Sequence, residues 1–179
     1  GYLSYENIAD KATVAGVEIE IRKNLFVRPV SNAAHGMNKL SLGLNGSYIY
    51  TNAKMPLATV TTGSQLEGAA PWIVNFDLSH NFTKGERSFV NTLVLNYVSD
   101  KIYTIGTQGY QDIMEQGVLT LDFVSQAKLN KHLSLNLKAR NLLNPSYKLS
   151  RKANENGEKV ILNDYKKGIN ISLGVSCTF

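Results

Sequence analysis

Taken in steps of two, the chain separates apolar from polar positions over most of its length. Between 12 and 25, Ala15, Val17, Ile19 and Ile21 alternate with Gly16, Glu18, Glu20 and Arg22. A period of two puts successive side chains on opposite faces of a strand; a helix would show 3.6. The pattern recurs over 39–51, where Leu40, Leu42, Leu44, Tyr48 and Tyr50 share a face. Over 72–82, Trp72, Val74, Phe76, Leu78 and Phe82 oppose Asn75, Asp77, Ser79 and Asn81. It returns over 89–100, 117–130, 132–141 and 165–179. Seven strands are therefore predicted and no helix. They are about twice the length of an ordinary strand of ~5–6 residues. A tilted strand needs about 9–11 residues to cross a bilayer.

The connections carry a second regularity. After an unusually long first one at 26–38, long segments at 52–71, 101–116 and 142–164 alternate with short ones at 83–88 and 131. Tight turns at one rim and long loops at the other are the habit of an outer-membrane barrel. With the last strand ending at the short-turn rim, every long loop falls on the outside.

An alternating strand fits two architectures. A soluble sandwich or lipocalin-like barrel turns its apolar face inward. A membrane barrel turns it out to lipid and lines its lumen with the polar face. Here the polar face is rich in Ser, Thr, Asn, Gly and Gln with isolated charges, whereas a water-washed sheet face is denser in Lys and Glu. Aromatic residues sit near strand ends: Trp72 and Phe82 on one strand, Tyr48 and Tyr50 on another, Phe179 on the last. Aromatic girdles fall there. Both observations favour the membrane barrel. His80 is the misfit, since its parity places it on the lipid face.

Composition narrows the function. Charged residues make up 18 % and the formal net charge is +5. Basic residues are dispersed apart from pairs such as Arg151-Lys152 and Lys166-Lys167, so no nucleic-acid partner is expected. The lone cysteine, Cys177, permits no intrachain disulfide, and His35, His80 and His132 lie too far apart for a metal-ligand spacing. Neither a metal nor a cofactor is expected. No apolar run approaches the ~18 residues of a spanning helix. There is no phosphate-binding Gly-rich loop and no nucleophile elbow, so the chain reads as a non-enzyme. It begins without an initiator methionine or signal peptide, which suggests a processed chain or a piece of a longer one.

Several stretches carry a family resemblance. "ARNLLNPSYKL" followed by "DYKKGINISLGVSCTF" resembles the C-terminus of the TonB-dependent outer-membrane receptors, where an Asn-Leu-Leu-Asn-Pro-x-Tyr stretch ends the penultimate strand and a Tyr-x-x-Gly strand closes the barrel on Phe. "ENIADKATVAGVEIEIRKNL" is similar to an earlier downward strand of that family, and "NFDLSHNF" and "LNYVSDK" to the strands between. The ending looks most like receptors of the Bacteroidetes type. Cys177 departs from the large residue usual three places from the end, and a thiol is apolar enough to face lipid.

The resemblance implies an all-β fold, a transmembrane antiparallel up-and-down β-barrel of 22 strands around a plug. Residues 1–179 would supply about seven long C-terminal strands of it, the plug and earlier strands being absent. It implies uptake of an iron chelate, haem, cobalamin or glycan, powered through TonB, without covalent chemistry. Expected partners are the remainder of the receptor, TonB, outer-membrane lipid and lipopolysaccharide, the barrel assembly machinery and a surface lipoprotein. Ligand contact is expected from loop aromatics: Tyr103, Tyr110 and Tyr147. Residues with lumen parity, expected to meet the plug or line the path, are Glu18, Glu20, Arg22, Asn75, Asp77, Asn96, Asp122, Gln126, Lys128, Lys138 and Arg140. Lys138 and Arg140 are placed to pair with Asp122. Lys166 and Lys167, at the outer rim with Lys167 on the lipid side, are candidates for lipopolysaccharide phosphates. Ile171, Leu173, Val175 and Phe179 are expected to form the assembly signal.

Two other architectures fit the residues. A small complete barrel of eight strands, adhesin-like or structural, would need "YLSYENI" as a further strand. A soluble barrel would bind a lipophilic ligand inside its apolar face.

Overall fold

The structure, a computed structural model, describes residues 11–30, 36–54, 65–106, 110–153 and 157–178. Every regular element among them is a strand. The elements are β1 (Lys11–Pro29), β2 (Met37–Lys54), β3 (Trp72–Lys84), β4 (Arg87–Val98), β5 (Lys101–Thr104), β6 (Ile113–Glu115), β7 (Val118–Lys128), β8 (Leu133–Arg140), β9 (Ser146–Lys152), β10 (Lys159–Lys166) and β11 (Asn170–Cys177). One antiparallel sheet runs β1-β2-β3-β4-β7-β8-β11 and a second runs β10-β9-β6-β5.

The second sheet is the first one continued. β4 breaks at 99–100 and resumes as β5, β6 resumes as β7 after 116–117, β8 as β9 after 141–145, and β10 as β11 after 167–169. Strand neighbours are the same on both sides of the breaks. Counted through them, seven up-and-down strands stand where the alternation predicts seven. The breaks are tied to one another. Asp100 Oδ1 accepts the Gly117 N–H at 2.6 Å, and Asn141 Nδ2 donates to the Gly168 carbonyl at 2.6 Å. Asn141 and Asn144 take positive φ, 58° and 44°. That conformation suits Asn better than most residues because its short polar side chain bonds locally.

The breaks explain where the expected loops differ. Segments 101–116 and 142–164, read above as long loops, hold β5, β6, β9 and β10. Each break resets the parity, so alternation does not carry across it. The first connection also shrinks. β1 continues to Pro29 across a bulge at 24–26, leaving only 30–36 before β2. At the short-turn rim lie the turns 85–86 and 129–132, and Val30 donates its N–H to the Gly36 carbonyl at 3.1 Å between β1 and β2. Gly85 (φ 60°) occupies the first central position of a two-residue hairpin turn, a place that demands positive φ. Asn130 Oδ1 accepts the N–H groups of His132 (2.9 Å) and Leu133 (2.8 Å), an Asx turn.

Register joins the faces strand by strand. Leu42, Leu78, Leu93, Phe123, Ala139 and Ile171 lie opposite one another in succession from β2 to β11. Ile21, Leu44, Phe76, Leu95 and Leu121 form a parallel row. Tyr48 and Trp72 meet at one end of this apolar band (4.5 Å between centroids), and Phe82 and Phe89 at the other (6.4 Å). From Trp72 to Phe82, tilted as barrel strands are, the band rises about 25 Å, the height of a hydrocarbon layer.

The sheet has almost no core. Buried apolar residues among those described are Ala53, Ala70, Ile102, Val118 and Ala139. Ile171, Leu173 and Val175 are 69 %, 70 % and 61 % exposed. The soluble-barrel alternative needs that apolar face covered by protein, and among the described residues no second layer covers it. The sheet is open, with β1 and β11 as its edges. "YLSYENI", which the eight-strand alternative needs as a strand, lies outside the described residues.

Candidate functional site

The polar face carries an ordered hydrogen-bond row. Glu20, Asn45, Asn75, Asn96 and Thr120 lie opposite one another on β1, β2, β3, β4 and β7. Glu20 is engaged by Arg22 on its own strand. Asn45 therefore turns to the neighbouring carboxylate, donating Nδ2 to Glu18 Oε1 at 2.6 Å. Asn75 Nδ2 donates to Asn45 Oδ1 at 3.2 Å, and Asn96 Nδ2 to Asn75 Oδ1. Two same-face steps further on, Ser41 donates to Asn24 Oδ1 at 3.0 Å and Ser79 bonds Thr92 at 3.1 Å. Between these rows the Asp77 carboxylate lies over Gly43: a Cβ there would meet Asp77 Oδ1 at 2.1 Å. The missing side chain lets Asp77 reach towards Arg22, whose charge it attracts.

A cleft of about 210 Å³ opens beside this row, where the two sheets join. Asn96, Val98, Val118 and Thr120 line it from the main sheet, and Lys101, Glu115, Gln116, Tyr147 and Lys167 from beyond the breaks. Lys101 Nζ and Glu115 Oε2 pair at 3.3 Å with side chains 27 % exposed each, so their charges are mutually satisfied. Lys167 Nζ stands 3.8 Å from the centroid of the Tyr147 ring. Tyr147 stacks in turn on Tyr165 at 5.5 Å and 21°. Gln116 Nε2 donates to the buried Ser150 hydroxyl at 3.2 Å, fixing one wall. Chemically the cleft offers an ammonium, two amides and a hydroxyl, a set able to hold a polar solute by hydrogen bonds.

Of the expected ligand contacts, the structure places Tyr147 in this cleft. Tyr103 lies exposed on β5, and Tyr110 stands between β5 and β6 with Arg151 over its ring at 5.0 Å. Lys167 departs from its expected place. The break at 167–169 turns it away from the lipid side and into the cleft, while Lys166 ends β10 exposed. Asp122 departs from its expected partners as well. Its Oδ1 accepts the backbone N–H of Asn141 at 2.8 Å, and among the described residues no ion pair joins it to Lys138 or Arg140. The start of the break claims the carboxylate first. Gln126, Lys138 and Arg140 are exposed on the polar face, opposite Asn136, Ser172 and Asn170. Ile171, Leu173 and Val175 lie on the edge strand β11, and Phe179 lies outside the described residues.

Sequence reading passes over Asn45, Lys101 and Glu115. Asn45 follows from parity on β2, whereas Lys101 and Glu115 fall in an expected loop. The misfit His80 is answered by its neighbours. Its Nε2 bonds Asn38 Oδ1 at 2.8 Å, and the facing Asn91 accepts from Ser125 at 2.7 Å.

The family model described as "TonB dependent receptor-like, beta-barrel" matches residues 1–142. No curated protein and no solved structure matches the chain.

Proposed function

Because the chain belongs to the TonB-dependent receptor-like β-barrel family, a family of the bacterial outer membrane, we propose that it forms the closing wall of a receptor that takes up a scarce nutrient powered through TonB. The nutrient is an iron chelate, haem, cobalamin or a glycan. Residues 1–179 serve as the C-terminal section of the barrel, their polar face to the lumen and their apolar face to lipid. The observation that carries this reading is the pairing of an uncovered apolar face with a hydrogen-bonded polar face that ends in the Tyr147–Lys167 cleft. On that orientation the cleft sits at the outer mouth of the lumen.

Open edges in hydrocarbon leave backbone groups unpaired. Strands from the rest of the receptor therefore pair with β1 and β11, and the plug meets the polar face. Lipopolysaccharide at the outer rim (beside Lys166), the assembly machinery acting on the last strand up to Phe179, and a surface lipoprotein over the mouth complete the set of partners.

Uptake under nutrient limitation tests the reading. A strain lacking the gene is grown on single iron chelates, haem, cobalamin and oligosaccharides. Loss of growth on one source, restored by the gene only when TonB is functional, is the expected result. Unchanged uptake of every source would overturn it.

A further inference from the structure

The amide row on the polar face has a direction, dictated by the chemistry of the group at its end. An ionised carboxylate only accepts hydrogen bonds. Glu18 therefore obliges Asn45 to present its NH₂ group, which leaves the Asn45 carbonyl oxygen for the next strand. That oxygen obliges Asn75 to donate, and Asn75 imposes the same choice on Asn96. The observed contacts follow this order at every step: Asn45 Nδ2 to Glu18, Asn75 Nδ2 to Asn45 Oδ1, Asn96 Nδ2 to Asn75 Oδ1.

We infer that Glu18 is a positioning residue for the mouth cleft: across four strands it fixes the Asn96 amide so that its carbonyl oxygen, not its NH₂, is offered there. Asn96 lines the cleft together with Thr120, the next residue of its row. The subsite thus presents an acceptor at Asn96 and a donor at Lys167, and it selects a solute that brings a hydroxyl or N–H to the first. Chains of aligned hydrogen bonds polarise one another, which strengthens the preference at the far end. The role of the mouth rests on the transport reading above; the direction of the row stands on its four side chains alone.

The test exchanges the two ends. Asn96→Asp places a carboxylate at each end of the row. Flipping amides then moves the clash between acceptors along the row without removing it. Adding Glu18→Gln removes it: the new amide at 18 donates to Asn45, the row reverses, and the new carboxylate at 96 accepts from Asn75. The variants are made in the full-length receptor, extracted in detergent and unfolded in urea. Asn96→Asp alone is expected to raise the unfolding constant about 5- to 10-fold, as for an unsatisfied polar contact. Glu18→Gln alone stays within about 2-fold of the parent, and the double variant returns close to it. The residues are roughly 14 Å apart, three strand spacings, where effects normally add.

Additive effects, or an Asn96→Asp variant as stable as the parent, overturn the inference. Asn96→Leu is the control: it has no carboxylate for a reversed row to serve, so rescue of it by Glu18→Gln also overturns it. If Asn96→Asp fails to reach the outer membrane, recovery of membrane level in the double variant is the expected result, and no recovery refutes the device. None of these readings involves transport, so their failure is distinct from a failure of the uptake reading.

Discussion

Gly168 donates its backbone N–H to the side-chain oxygen of Asn144 at 3.0 Å. Asn141 completes the clasp by donating Nδ2 to the Gly168 carbonyl at 2.6 Å. The two sequence stretches that carry the family resemblance, "NLLNP" and "YKKG", are therefore bonded to each other. Asn144→Ala loses a bond and forces a Cβ residue less tolerant of φ 44° into that conformation. The expected cost is about 1–2 kcal/mol. Asn144→Gly loses only the bond and is expected to cost about half as much. Urea unfolding of the full-length receptor in micelles measures both. Equal costs would separate the clasp from backbone conformation.

The clasp also marks how far the sequence can be read. Period two locates the main-sheet strands because each keeps one parity across the apolar band, β1 changing it only at the 24–26 bulge, and the register bears out the shared faces. It stops at the breaks. Beyond Ser99 and Asn141 the chain resumes as strand with a reset parity, which depends on positive φ and on side-chain bonds between distant segments. Parity puts Lys167 on the wrong side for this reason. Tyr147 stands out as an aromatic candidate, but its contact with Lys167 joins a residue on β9 to one in the break after β10 and has no local signature. The Glu18 row is half legible. Parity puts Glu18, Asn75 and Asn96 on one face, while their bonding requires the register.

Neighbouring residues on β4 are expected to respond in opposite ways to the same change. Leu95 lies between Phe76 and Leu121 in the middle of the apolar band. Leu95→Arg puts a charge at mid-bilayer, at a cost of about 2–4 kcal/mol. The amount of folded receptor in the outer membrane should fall several-fold. Val94 lies between Asp77 and Asp122 on the polar face. Val94→Arg meets two carboxylates and should leave that amount near the parental level. Immunoblots of membrane fractions with heat-modifiable migration read both. A loss at 94 with tolerance at 95 would reverse the assignment of faces.

The polar pair on the apolar face yields a coupled prediction. His80 bonds Asn38 at 2.8 Å one step inside the Phe82–Phe89 contact. His80→Leu leaves the Asn38 amide facing lipid without that partner, at an expected cost of about 1–3 kcal/mol. Replacing both with Leu removes the need for a partner and should restore stability to within about 1 kcal/mol of the parent. A double variant no better than the His80 single would mean that the bond does not serve to satisfy Asn38.

The Tyr147–Lys167 contact bears on transport directly. With Nζ at 3.8 Å from the ring centroid and Tyr165 stacked on the same ring, the Tyr147 side chain is held in place at the cleft. A cation over an aromatic face contributes about 0.5–2 kcal/mol depending on desolvation. Tyr147→Ala removes both the ring and the seat of Lys167. The solute concentration giving half-maximal uptake should rise about 2- to 30-fold, with the membrane level of the receptor unchanged. Tyr147→Phe keeps the ring and should shift that concentration by less than about 3-fold. Lys167→Met tests the ammonium separately: a solute bearing an anionic group should lose more affinity than a neutral one of the same class, and the difference should shrink at high salt. Normal uptake by the Tyr147→Ala variant would remove the cleft from the ligand's path and leave the contact a purely structural one.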